Sequence, residues 1–378
     1  MGRTSPARIV AVLLAISVLF GATPAVGASG VLPAEEGLRI AIDSMRQLAT
    51  DTRYNHAQKK TTRPKKGQPL KLGKDGRLTV MLVGSDWRPD AGGERLDVVM
   101  VATIDPTTGR AALVSIPRDM AGIPFAGGGN SGSMRVNSIY YIRYRDPSLP
   151  HAAVDRKAMR RFSADVAAFL GTEIDYWALT RFATFSSLIN SLGGLRVDIT
   201  EAVRDSSYHH KRSRGVYFPV KQRYRLKGDP ACKPYPAKCH SALVYARSRK
   251  GTMGSAYNSD WKRAERQQDM VRAAVKGIIE EGAGVELLGR LLKVRDQIDT
   301  NIPKTVEAAG QLFVLVQDMK LRRTHMKVLA PATWGYLAAD GTVRPNLARI
   351  RTFVDEQFYK VKKKPQAKKK KQKVKQAD

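Results

Sequence analysis

The reading of one stretch, Leu78–Asp119, LTVMLVGSDWRPDAGGERLDVVMVATIDPTTGRAALVSIPRD, decides the fold. The apolar run LTVMLV (78–83) reads as a buried strand. VVMVATI (98–104) and AALVSI (111–116) flank DPTTG, whose turn chemistry joins them as a hairpin-like pair. Between the first and second strands lies GSDWRPDAGGERLD (84–97), which sets Asp86, Asp90, Glu94 and Asp97 among Arg88 and Arg95. A surface turn needs only polarity, and a core tolerates such charges only when they are paired or ligated. So many opposed charges at the mouth of a buried strand mark a candidate site, with Asp90, Glu94 and Arg88 read as loop charges in solvent.

Working outward, the chain alternates between helical and strand periods. VDRKAMRRFSADVAAFLG (154–171) has helical spacing, DYWALT (175–180) is strand-like, RFATFSSLINSLGG (181–194) is a helix ending in glycines, and LRVDIT (195–200) is another strand. That alternation predicts an α/β layer fold. SALVYARSR (241–249) reads as a strand with Arg247 and Arg249 at its end. A Gly/Ser-rich loop and a long helix from Asp260 follow, whose Val271, Val275 and Ile278 form a stripe fit to pack on a sheet. WGYLAADGTVRPNLARIRTFVDEQF (334–358) completes the domain. No internal repeat and no Walker or Rossmann glycine signature after a strand is present.

The flanks are of a different character. Arg3 and Arg8 precede the apolar block Ile9–Phe20 and the small residues GATPAVGASG, the order of an export signal; a short signal anchor is the other reading of residues 1–28. Residues 29–75 read as a basic stalk with one amphipathic helix through Leu38, Ile42, Met45 and Ala49. Residues 359–378 form a Lys-rich tail read as a disordered, envelope-adhering arm, with ten lysines and one aspartate from Lys360 on. Lys and Arg outnumber Asp and Glu by 65 to 34, a formal charge of +31, which points to polyanionic partners. Export places the domain outside the cytoplasm, at the outer face of the membrane or in the wall, and removes nucleic acid from the candidate partners. Cys232 and Cys239, the only cysteines, suit a small disulfide loop in that compartment; zinc is the rival reading, but only His240 stands near them.

Four patches place arginine at a strand end or in a first helical turn, often with a carboxylate nearby: the 84–97 stretch, SIPRDM with Arg118 and Asp119, YARSR with Arg247 and Arg249, and DWKRAERQQ with Asp260, Arg263, Arg266 and Gln267. Arginine's planar fork matches phosphate oxygens with paired, charge-assisted hydrogen bonds. On a strand Arg247 and Arg249 face the same way, and on a helix Asp260, Arg263 and Gln267 share a face. Each patch alone has the plainer reading of surface charge; together they suggest a pyrophosphate-sized polyanion.

In order along the chain, VGSD, ERLDVVMVATIDPTTGRAALVSIPRD, RVNSIYY, INSLGGLRVDI, ALVYARSR and DWKRAERQQ resemble the LytR-CpsA-Psr proteins, the cell-wall glycopolymer ligases of Gram-positive bacteria, over roughly residues 76–358. The resemblance implies a three-layer α/β/α sandwich whose central mixed sheet and helices enclose a hydrophobic lipid pocket. It implies magnesium (Mg2+) held by Asp86 and Asp97, and a pyrophosphate gripped by Arg95, Arg118, Arg247, Arg249 and Arg263 with Gln267 assisting. Asp86, Asp97, Arg95 and Arg118 would form the catalytic set, and Asn137 of RVN stands where the family has a lysine-led triplet. Departures are Leu96 in place of the family's common serine, that RVN triplet, and a long 250–259 loop. The implied activity is transfer of a glycopolymer from a polyprenyl-pyrophosphate donor to peptidoglycan with release of polyprenyl phosphate. A polyprenyl-pyrophosphate phosphatase and a non-catalytic polyanion- or lipid-binding envelope protein are the alternatives. His209 and His210 read as loop surface, and the export signal and lack of a helix-turn-helix pattern argue against a transcription regulator.

Overall fold

The computed structural model describes residues 70–87, 94–150, 153–210, 213–233, 237–249, 260–281, 297–303 and 324–359, together with Ala308, Gln311, Leu312 and Leu315. The export signal or anchor, nearly all of the stalk, Arg88, Asp90, the 250–259 loop, the side chains of Val275 and Ile278, and the tail beyond Tyr359 lie outside these residues.

Strands β1 (Leu78–Ser85), β2 (Leu96–Asp105) and β3 (Arg110–Ile116) form an antiparallel meander. The Asp105 carboxylate closes the β2–β3 turn by accepting from the Thr107 and Thr108 N–H groups, and Gly109 supplies the positive φ. β4 (Tyr176–Thr180) runs parallel to β1, and β9 (Asp299–Thr300) and β10 (Thr324–Val328) take the edges. The mixed sheet therefore has six strands in the order β10-β3-β2-β1-β4-β9. Because β1, β3 and β4 point the same way, their C-terminal ends open on one edge, joined there by the start of β2.

Both faces of this sheet are buried, which is why its strands read as unbroken apolar runs. On one face Val80, Leu82, Met100 and Ala178 pack with Leu188 of α3 (Phe182–Ser191) and Val271 of α5 (Asp260–Glu281). On the other, Met81, Val101, Val114 and Trp177 pack against three helices: α1 (Val136–Ile139), which continues into a π-helical turn, α2 (Arg156–Leu170), and α6 (Leu347–Val354). Helices on both faces make the three-layer α/β/α sandwich. α2 is set by its ends: the Asp155 carboxylate accepts from the Lys157 and Ala158 N–H groups, and Gly171 closes it at φ +70°.

A satellite core stands beside the sheet. β5 (Leu195–Ile199) pairs with β8 (Lys221–Leu226), and β6 (Val203–His210) with β7 (Ser213–Phe218). Their apolar residues pack with the disulfide-joined Cys232 and Cys239, with α4 (Ala242–Arg247), and with Met270, Ala273 and Ala274 of α5. The stripe on α5 thus divides between two cores, Val271 facing the main sheet and its neighbours facing the satellite.

α4 corrects the strand expected over 241–249. Ser241 is fully buried and its Oγ accepts from the Val244 N–H, a helix N-cap that outcompetes an extended run. A six-residue apolar segment carries no period long enough to distinguish the two. His209 lies on strand β6 rather than in a loop, though exposed as expected.

Candidate functional site

The open edge of the sheet leads into a cavity of about 340 Å³ between the sheet, α3, α4 and α5. Leu82, Met100, Ala178, Phe185, Leu188, Leu192, Met270, Val271 and Ile298 form much of its wall, while Asp97, Arg181, Arg247, Arg249, Arg263 and Gln267 also line it. A greasy chamber sharing its lining with guanidinium groups suits an amphiphile with an apolar tail and an anionic head.

The charged groups converge on Arg118, carried just past the end of β3. Its Nη1 donates to Asp97 Oδ1 at 3.1 Å and its Nε to Asp260 Oδ2 at 3.0 Å, with Asp119 Oδ2 at 3.5 Å from Nε. Asp260 opens α5, where a carboxylate is favoured by the helix dipole. One turn on, Arg263 Nη2 lies 3.2 Å from Asp260 Oδ1, and its Nη1 lies 3.9 Å from Asp97 Oδ2. Arg249 Nη1 stands 3.9 Å from Asp260 Oδ1, and Arg135 Nη1 3.2 Å from Asp119 Oδ1. Three carboxylates thereby hold four guanidinium groups in place.

Asp119 and Asp260 share a hydrogen bond, and the pair titrates unevenly. Burial, then the bond to Asp260, raises Asp119 to about 6. At Asp260 burial works in the same direction but is outweighed by the bond from Asp119 and by Arg263 and Arg118, which hold it at about 2. Arg263, almost wholly buried, has its pKa lowered chiefly by desolvation, and its Nε has no hydrogen-bond partner. That donor is sealed from solvent, so the cost of leaving it unpaired is carried by the fold itself.

The arginines on α4 reach the cavity by a route different from the one expected. Arg247 is the last helical residue, Ser248 turns the chain to ψ 133°, and Arg249 follows. The end of α4 is clamped from α5: Arg266 donates to the carbonyls of Tyr245 and Ser248, and Gln267 Nε2 to that of Ala246 at 3.1 Å. These bonds satisfy carbonyls that a helix end leaves open. Arg247 also lies over the ring of Phe182, 4.3 Å from its centroid, and 5.9 Å from that of Tyr208. Gln267, expected as a phosphate contact, thus combines lining the cavity with holding α4.

Asp97, Arg118, Arg247, Arg249, Arg263 and Gln267 are therefore brought together. Asn137 is buried and stands behind them, its Nδ2 3.4 Å from Asp97 Oδ1. Asp86 and Arg95 face each other across the β1–β2 rim, where Asp86 Oδ1 accepts from the Arg95 N–H at 2.7 Å; neither lines the cavity, and Arg95 is exposed. Magnesium suits the donor set as an ion that takes one or two carboxylates and completes its shell with water and substrate phosphate. Asp97 offers such an oxygen at the cavity wall, and among the described residues no cage of three or more His, Cys, Asp or Glu forms.

Glu94 overturns its reading as a solvent charge. It is 3% exposed, accepts from the Ser85 hydroxyl, and lies 3.7 Å from Arg181 Nη2; burial raises its pKa. Its bond to Ser85 at the end of β1 holds it there, which charge alone does not disclose. Sequence reasoning also passed over Arg181 and Arg135. Each follows or precedes an element without a companion charge, so no spacing signals it.

The fold and cavity define a class: an α/β domain with a cavity that joins an apolar wall to guanidinium groups. The chain belongs to the LytR_cpsA_psr family, whose model matches residues 42–332. It is similar to the polyisoprenyl-teichoic acid–peptidoglycan teichoic acid transferase TagU of Bacillus cereus, 27% identical over 271 residues, 72% of this chain and 74% of that one. In fold it is similar to TagV of B. subtilis (TM-score 0.54, 22% identity, covering 76% of this chain and 98% of that one). A LytR-Csp2A-Psr enzyme from Actinomyces oris gives a TM-score of 0.53 at 19% identity, covering 79% and 97%.

Proposed function

We propose that the protein is an extracytoplasmic phosphotransferase that attaches a glycopolymer from a polyprenyl-pyrophosphate donor to peptidoglycan. The observation that carries this is a cavity in which an apolar wall and several guanidinium groups meet. The polyprenyl tail lies against Leu82, Phe185, Leu188 and Val271, gaining about 0.8 kcal/mol per buried methylene. The diphosphate lies under Arg118, Arg247, Arg249 and Arg263. The similarity to TagU, a polyisoprenyl-teichoic acid–peptidoglycan teichoic acid transferase, agrees with this in kind.

In the transfer step a sugar hydroxyl of peptidoglycan attacks the glycan-side phosphorus. A new P–O bond forms to the acceptor and the P–O bond to the bridging oxygen breaks. Polyprenyl phosphate leaves with that electron pair, and the hydroxyl proton passes to solvent. The arginines stabilise charge developing on the phosphoryl oxygens, each such contact being worth on the order of 10²-fold or more. Asp97, with Asp86 from the rim, would hold magnesium, which when bound neutralises phosphate charge. Asn137 and Arg118 keep the Asp97 carboxylate oriented.

The test is to supply a lipid-linked glycan donor with and without peptidoglycan and follow both covalent attachment and free glycan. Arg118→Ala and Arg249→Ala should each lower attachment by about 10²-fold or more while circular dichroism stays unchanged. Full activity in both would refute the site, and glycan released but never attached would indicate the phosphatase instead. Mass spectrometry of co-purifying lipid should find a polyprenyl phosphate or diphosphate.

A further inference from the structure

The cavity has a direction. Along α3 its lining runs from Phe182 through Phe185 and Leu188 to Leu192, and along α5 from Arg263 through Gln267 and Val271 to Ala274. At about 1.5 Å per residue each row spans roughly 15 Å. The guanidinium groups gather where both helices begin, with Arg118 bonded to Asp260 at the start of α5 and Arg247 lying over the ring of Phe182 at the start of α3. The far end, at Leu192, Leu195 and Ala274, is lined by apolar side chains. A polyprenyl tail longer than the cavity continues past that end.

An exposed cationic sheet face adjoins the apolar end. β5 opens there at Leu195, and Arg225 of β8 donates from Nη2 to the Gly193 carbonyl at 2.7 Å, which ties the strand to the end of α3. Tyr224, Leu226 and Gly228 are buried while Arg225 and Lys227 between them are exposed, so the two cations share the outer side; Arg223 before them is exposed as well. Across the pair, exposed Arg196 stands in register with Arg225, and like charges directly opposite on a sheet repel. Asp198, which accepts from the Arg223 N–H at 2.8 Å, offsets only part of this charge. From Ser206 to Gly228 the chain has seven Lys and Arg and no Asp or Glu.

We propose that this face docks on the anionic surface of a lipid bilayer. The apolar end of the cavity then lies against the membrane, and the diphosphate end stands roughly 15 Å farther out. Charge alone would suit a wall polyanion equally well. Position favours the bilayer, since the face adjoins the end from which an apolar tail leaves and not the end where the guanidinium groups gather. Each Lys or Arg held near an anionic leaflet adds attraction that fades within a Debye length. The inference rests on the ligase reading above and adds the orientation of the domain at the membrane.

The test compares the full chain with two variants of equal charge. One is Arg196→Gln/Lys227→Gln on the face; the other is Lys157→Gln/Arg160→Gln, exposed on α2, which packs on the opposite side of the sheet from the cavity. Partition is measured onto vesicles of equal phosphatidylcholine and phosphatidylglycerol, and affinity for geranyl diphosphate in solution without vesicles. The lysine-rich tail is common to all three chains and contributes equally. The face variant should partition about 10- to 30-fold less, at about fivefold per cation, and the α2 variant about twofold less at most. Both should keep the parent's melting temperature and its affinity for geranyl diphosphate. An equal loss in both variants, or none, would overturn the docking face and leave the ligase reading standing. A face variant that kept its vesicle affinity but lost binding to lipid-free sacculi would assign the face to the wall polymer and overturn the proposal equally. Failure of the parent to bind geranyl diphosphate would overturn the ligase reading and the proposal with it.

Discussion

Asp175 shows how a single carboxyl can set the pH response of the fold. It lies at the end of the sheet remote from the cavity, its Oδ2 accepting from the Thr79 N–H at 2.8 Å. Burial, with Asp75 and Glu173 nearby, raises its pKa to about 7. The folded chain therefore holds this proton more tightly than the unfolded one. The associated stability is complete below about pH 4 and is lost as pH rises through about 7. Asp175→Asn keeps an acceptor for Thr79 and should raise the melting temperature at pH 8 while changing it little at pH 4; a uniform shift at both would contradict this. Among the site residues, Arg118 and Arg263 were legible because each has a carboxylate close by in the chain, and Arg249 because it follows Arg247 at a spacing of two. Arg181 and the burial of Glu94 were not, since each depends on partners from other segments: Asp299 for the first and Ser85 for the second.

At the scale of elements, the position of Arg247 and Arg249 depends on how α4 begins and ends. Ser241→Ala removes the cap on the Val244 N–H and should cost about 1 kcal/mol, seen as a lower urea midpoint with an unchanged m value. Arg266→Ala opens the carbonyls of Tyr245 and Ser248 and should weaken binding of the bare polyprenyl diphosphate, although Arg266 is absent from the cavity lining. Retained affinity there would show that α4 holds its own end without the clamp. The meander β1–β3, helices α2 and α3, and strands β4 and β5 were all legible, because apolar runs bounded by turn residues and a fifteen-residue helical period each admit one reading. α4 was not, because five residues between a serine and two arginines fit either period.

For the molecule as a whole, the formal charge of +31 makes association with an acidic wall depend on salt. Binding to teichoic-acid-bearing sacculi should weaken steeply between about 0.05 and 0.5 M salt, as the screening length falls from above 10 Å toward a few ångströms. Retention of a polyprenyl diphosphate, which under the proposed function is held by buried apolar contact, should change much less. Indifference of sacculus binding to salt would remove long-range charge from the account. The sequence by itself determined the α/β class, the strands of the sheet's centre and the arginine-bearing segments, because these follow from local periodicity and from charges close together in the chain. Only the tertiary structure decided which charges meet, which face solvent, and that an apolar chamber lies beneath them. Those outcomes depend on strand order and helix packing, which bring Asp97, Arg118 and Asp260 to hydrogen-bond distance from segments that no local pattern links.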